Sequence, residues 1–126
     1  ALNKSAQSDL RAAISTVEQF YSENGNAYPT GSTPVVSTGG VLTLTGATTG
    51  TGSTATAPTV TSNVSAGNAV GYQLVAAAAP NPAYYMLCAR NTDANKFFVY
   101  NGLKGGSVKE ATVQTDMAGC LGGDRA

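Results

Sequence analysis

From Leu10 to Tyr21 the apolar residues return at intervals of three and four. Leu10, Ala13, Ile14, Val17, Phe20 and Tyr21 have the spacing that lines one side of an α-helix. Gln7, Arg11, Ser15, Glu18 and Ser22 fall on the opposite side. No Gly or Pro interrupts the run before Asn24-Gly25, residue types that tolerate the left-handed conformation ending a helix. The pattern predicts a helix over residues 1–25, with Leu10, Ile14, Val17, Phe20 and Tyr21 as the face it buries. At its start the pattern is already under way at Leu2 and Ala6, without a capping signal and with Ala1 in place of Met. Such a start predicts a helix that has lost an upstream part by processing or removal; the plainer alternative is a short frayed terminus.

Beyond Gly25 the pattern changes. Tyr28 precedes Pro29 and is pushed toward an extended conformation. Between Thr30 and Asn68, 12 of 39 residues are Thr, 5 are Ser and 7 are Gly, which marks residues 26–68 as a low-complexity, variable loop. Inside it VLTLT at 41–45 and TVT at 59–61 alternate β-formers and predict short strands. From Ala69 the chain becomes regular: AVGYQLVA, AYYMLCAR and KFFVYNG are rich in aromatic and β-branched residues and are separated by AAAPNP and NTDAN. These runs read as an antiparallel meander. Tyr84, Met86 and Cys88 share one face of the second run and Tyr85, Leu87 and Ala89 the other, while Phe97 and Val99 oppose Phe98 and Tyr100 in the third. A further strand is expected around 107–113, after which the tail folds back.

The resulting expectation is an α+β fold in one domain spanning 1–126. An N-terminal amphipathic helix packs on an antiparallel sheet of about four strands, with a Thr/Gly/Ser-rich loop between them, the sheet and a disulfide-closed C-terminal region together occupying 69–126. The helical face is expected to meet Tyr72, Leu74, Met86 and Val99.

Charge removes several functions from consideration. The formal net charge is zero, and no Asp, Glu, Lys or Arg occurs from Asn24 to Ala89, so no overall field draws in nucleic acid or an anionic membrane. Tyr84, Tyr85, Phe97, Phe98 and Tyr100 have only Arg90, Lys96, Lys104 and Lys109 near them in sequence, and core packing is the preferred role for such aromatics over base stacking. Without histidine the usual general base and the commonest metal ligand are missing. No catalytic residues, metal or cofactor are therefore expected. The uncharged middle must be hydrated by its hydroxyls or covered by sugars or a partner. Asn63-Val64-Ser65 matches the N-linked acceptor pattern, making Asn63 a candidate glycosylation site. Cys88 and Cys120 lack the close spacing of a zinc or redox motif. A structural disulfide is the simpler reading, against two buried free thiols, and implies the periplasm, cell surface or exterior.

The stretch SDLRAAISTVEQFYSENGNAYPTG, residues 8–31, resembles the end of the long N-terminal helix in type IV pilins and the related pseudopilins of type II secretion. In it an amphipathic helix finishes in aromatic residues, followed by Gly25 and then Tyr28-Pro29. The rest is similar in layout: a variable loop, an antiparallel sheet on the helix, and a C-terminal region closed by two cysteines. The resemblance implies a structural subunit of a pilus filament that polymerises with copies of itself through an apolar half-helix absent from this sequence. That half-helix is the membrane anchor before assembly, with the head in the periplasm, and assembly machinery then adds the subunit to an extracellular filament. Adhesion, motility and DNA uptake are among the functions of such filaments.

Two alternatives stand beside it. A major pseudopilin usually closes its C-terminal region around calcium, for which Asp116 and Asp124 are sparse, so the cysteine pair favours the pilus branch. A secreted carbohydrate-binding or adhesive β-domain would present an aromatic pair such as Tyr84-Tyr85 to a sugar.

Overall fold

The computed structural model describes residues 2–25, 27–30, 35–46, 56–77, 82–91, 96–103, 108–110 and 117–123. The predicted helix is α1, Leu2–Glu23. It ends at Gly25, whose φ of 67° is the left-handed conformation that a residue without Cβ adopts at little cost. Asn24 Nδ2 donates to the Phe20 carbonyl at 2.9 Å, satisfying an acceptor that the helix end leaves open.

The described part of the Thr-rich region contains strands. Val35–Val36 form β1, Val41–Thr45 form β2 and Thr59–Asn63 form β3. Alternation decides their packing: Leu42 and Leu44 point inward and are buried, while Thr43 is exposed between them. β2 and β3 pair antiparallel as a two-stranded ribbon apart from the main sheet, with Thr43 opposite Thr61 and Thr45 opposite Thr59.

The meander forms the centre. β4 is Asn68–Val75, β5 is Tyr84–Asn91 and β6 is Phe97–Asn101. The main sheet has five strands in the order β1-β4-β5-β6-β7, all neighbours antiparallel, where β7 is Lys109–Glu110. This corrects the expected four-strand sheet: β1, from within the presumed loop, adds an edge beside β4. The expected strand at 107–113 is represented by β7; residues 104–107 and 111–116 lie outside the described residues.

Both faces of β5 are covered, which explains a strand with no polar alternation. On one face Val70, Tyr72, Tyr85, Leu87, Ala89 and Phe98 meet Ala6, Leu10, Ala13 and Val17 of α1 and Leu42 and Leu44 of the ribbon. On the other, Tyr84, Met86, Cys88, Phe97 and Val99 meet Cys120 and Leu121 of a second helix, α2, Met117–Gly123. The expected helix partners Tyr72 and Leu74 are correctly sided. Met86 and Val99 are not: they lie under α2. Because side chains alternate along a strand, Met86 shares the face of Tyr84 and Cys88 and cannot also share that of Tyr85.

Candidate functional site

Where α1 ends, the chain gathers aromatic rings. The centroids of Tyr21 and Tyr28 are 4.4 Å apart, and Tyr28 is 5.2 Å from Tyr85. Tyr85 in turn lies 6.1 Å from Tyr72 and 5.9 Å from Tyr100. Five of the six tyrosines in the chain thus form one contiguous group within the range of favourable ring contacts. Tyr72 and Tyr85 are fully buried, whereas Tyr21, Tyr28 and Tyr100 are half-buried.

A buried hydroxyl needs a partner, and both buried tyrosines have one. Tyr72 donates to the Pro29 carbonyl at 2.7 Å, pinning the Tyr-Pro segment to β4. Tyr85 donates to the Glu18 carboxylate at 2.5 Å, a charge-assisted bond between β5 and the outer side of α1. Thr30 completes the attachment, since its N–H and its hydroxyl both reach the Thr45 carbonyl at 2.8 Å. Gly102 lets the end of β6 come close: a Cβ there would stand 2.8 Å from the Tyr85 carbonyl oxygen.

These environments hold the phenols in their neutral form. Burial pushes Tyr85 well above the ordinary tyrosine value, and the hydrogen bond to Glu18 and its charge add to that effect. Tyr72 is raised by burial and then by Tyr28, and Tyr28 is raised by burial and then by Glu18. A group whose folded pKa lies above its unfolded one contributes stability that is complete below the unfolded value, 10.0 for tyrosine, and is lost as pH rises beyond it. Stability is therefore expected to fall progressively above about pH 10. In an absorbance titration, tyrosinate from Tyr72 and Tyr85 should appear only together with loss of the folded circular dichroism signal. Six tyrosines titrating freely in folded protein would contradict this arrangement.

At the other end of α1 lies a buried acid that the sequence reading passed over. Asp9 is 9% exposed. Its carboxylate accepts from the Ser65 N–H at 2.8 Å, the Ser65 hydroxyl at 3.1 Å and Asn68 Nδ2 at 2.7 Å. Asn68 Nδ2 also reaches the Ser5 hydroxyl at 2.9 Å, and Asn91 Nδ2 donates to Asn68 Oδ1 at 2.7 Å. This network ties the first turns of α1 to the β3–β4 connection and, through Asn91, to the end of β5. The signal was present in the spacing: Asp9 follows Ala6 by three residues and precedes Ala13 by four, the interval of the buried stripe.

On the opposite face Cys88 and Cys120 are joined in a disulfide, with Cα atoms 6.3 Å apart. It attaches α2 to β5 beside Met86 and Val99. Gly71 leaves room for the same helix, since a Cβ there would come 2.6 Å from Met117 Cγ.

The sequence candidates are distributed as follows. Leu10, Val17 and Phe20 are buried under the sheet and ribbon, while Ile14 packs at the margin of that core and Tyr21 turns to the tyrosine group. The buried stripe is thus centred on Ala6, Leu10, Ala13, Val17 and Phe20, rotated slightly from the face expected. Gly25, Tyr28 and Pro29 form the turn between α1 and the tyrosine group. Asn63 is exposed at the end of β3, and the Ser65 hydroxyl of its acceptor pattern is bonded to Asp9. Tyr84 and Tyr85, the aromatic pair named for the carbohydrate alternative, are 9% and 0% exposed and do not present their rings to solvent. Asp116 and Asp124 lie outside the described residues, among which no group of three or more His, Cys, Asp or Glu is found. Among the described residues, no helix is long and apolar enough to cross a membrane.

What the chain defines is an α+β class: a long helix on one face of an antiparallel sheet and a disulfide-linked short helix on the other. No family model, curated protein or solved structure matches it.

Proposed function

We propose that this chain is the head domain of a filament subunit of the type IV pilin kind, polymerising through apolar helix upstream of α1. The observation that carries the reading is the one-sided burial of α1. Its inner stripe is fixed to the sheet, the ribbon and the Asp9 network, and its outer side of Ser, Gln, Lys, Arg and Glu residues, the Tyr85–Glu18 bond apart, is left to solvent. A helix anchored along its length in this way is a rigid handle by which a head can be mounted on a polymer. The Gly25 turn, the Tyr28-Pro29 segment and the Cys88–Cys120 closure fit the same reading. It assigns the chain a structural role without catalysis, an oxidising location for the disulfide, and partners consisting of further copies and their assembly machinery. The disulfide favours a pilus subunit over a pseudopilin.

If the polymer contacts reside mainly in the upstream helix, the 126-residue chain is a monomer at tens of micromolar, because polar head contacts are weak until held at high effective concentration. Sedimentation should show one species at the 12.6 kDa mass. Joined to the native upstream apolar helix and expressed with the matching machinery, it should enter the membrane and then filaments. A tight, salt-insensitive dimer of the head, or failure of the extended chain to assemble, would remove this reading.

A further inference from the structure

Two asparagines in the chain are followed directly by glycine: Asn24 before Gly25 and Asn101 before Gly102. That neighbour matters chemically. Without a Cβ on the following residue, little hinders its backbone nitrogen from reaching the asparagine side-chain carbonyl carbon. Attack there closes a succinimide ring: the N–Cγ bond forms, the Cγ–Nδ2 bond breaks, and ammonia leaves with the proton of the attacking nitrogen. Water then opens the ring, at Cγ to give aspartate or at the backbone carbonyl to give isoaspartate. Amide and water become acid and ammonia, and no oxidant or enzyme is needed.

The fold treats the two sites in opposite ways. Asn101 is 8% exposed and stands opposite Met86 at the end of β6. Its side-chain oxygen accepts from the Leu103 N–H at 2.8 Å, and the nitrogen that would attack, that of Gly102, donates to the Tyr85 carbonyl at 2.8 Å. Cyclisation there requires the end of β6 to leave the sheet. Asn24 is half-buried just beyond the last turn of α1, and Gly25 is exposed. Its chain neighbours apart, nothing lies within 4 Å of the place a Cβ on Gly25 would occupy. The Asn24 side chain is held by the bond from Nδ2 to the Phe20 carbonyl at 2.9 Å. Breaking one neutral hydrogen bond slows the reaction by about tenfold at most, whereas detaching a buried strand end requires a sub-global opening of the sheet.

We propose that Asn24 is a self-modifying site that converts to isoaspartate and aspartate in the folded protein, while β6 keeps Asn101 from the same reaction. Conversion takes the formal net charge from zero to one negative. It removes the donor to the Phe20 carbonyl and places a carboxylate at the negative end of α1, next to Glu23, whose own carboxylate accepts from Gln19 Nε2 at 3.2 Å. Isoaspartate also adds one atom to the backbone at the turn that leads to Tyr28 and Pro29. The attachments that feel this insertion first are the Tyr21–Tyr28 ring contact and the Tyr72 bond to the Pro29 carbonyl. The change runs one way, and it is independent of the filament reading.

Incubating the 126-residue chain between about pH 8 and 9, below the range of tyrosine ionisation, tests this. Peptide mass spectrometry after digestion at acid pH locates each amide-to-acid exchange and separates isoaspartate from aspartate. Conversion at Asn24 is expected to rise with time and to run on the order of tenfold or more faster than at Asn101; in denaturant, where both sites are open, the two rates should become alike. The converted protein should separate as a more acidic form, with faster amide exchange at residues 27–30 and unchanged exchange in β5. Asn24→Gln keeps an amide donor and should abolish that form, since the longer side chain closes its ring far more slowly. Equal conversion at Asn24 and Asn101 in folded protein would overturn the proposal. So would conversion at Asn24 no faster than at Asn63, which is exposed and followed by Val64, an acidic form that persists in Asn24→Gln, or a converted protein with unaltered exchange at 27–30.

Discussion

Leu10→Ala is expected to lower the unfolding free energy by about 2 to 5 kcal/mol, and Ile14→Ala by roughly half as much or less. Both truncate a branched aliphatic side chain on the same helix, so propensity changes little between them. The difference is burial: Leu10 is fully enclosed by the sheet and ribbon, while Ile14 lies at the edge of that core and already contacts water. Removing Leu10 therefore forfeits transfer free energy and leaves a cavity in a cluster built from the helix, the sheet and the ribbon, whose members cannot all close in. Urea denaturation of the two variants measures this directly. Equal losses, or a larger loss for Ile14, would mean that the helix is rotated from the position described.

The second large effect is that of the disulfide. C88A/C120A should cost about 2 to 5 kcal/mol, and the 32-residue separation of the cysteines gives roughly 3 to 4 kcal/mol on chain-entropy grounds. C120S should be at least as harmful, because its hydroxyl would sit beside Leu121 and Met86 at a fully buried position. Thermal melts of wild type with and without reductant should differ in the same direction. Intact-mass measurement after alkylation of native, unreduced protein should find no modified cysteine, and two alkylated thiols would show that the bridge does not form in solution.

Much of the architecture was legible because it is written in periodicity. The helix from Leu2 to Glu23 and the three long strands follow from spacings of 3.6 and 2, and VLTLT is β2 residue for residue. Face assignment within β5 and β6 followed from alternation alone. Which face would meet the helix did not, because both are apolar and the choice depends on α2. That helix was illegible: MAGCLGG contains three glycines in seven residues, a composition that disfavours helix and is overridden here by the bridge and by packing on Gly71. The pairing of β1 with β4 was equally hidden, since two valines in a Thr-rich stretch carry no register information until Val35 is seen opposite Tyr72. The Asp9 network required partners 56 and 59 residues away, a separation that no local pattern reports.

The disulfide also has a mechanical consequence for the chain. If tension enters through the N-terminal end of α1 and leaves through the far end of the chain, the segment between Cys88 and Cys120 is short-circuited by a covalent bond. Its 32 residues would otherwise yield roughly 110 Å of extension when pulled straight. The force path passes instead from β5 directly into α2. β6 and β7 lie inside the protected loop, so their unravelling cannot lengthen the molecule, and the compliance that remains belongs to α1, β1, the ribbon, β4 and the start of β5.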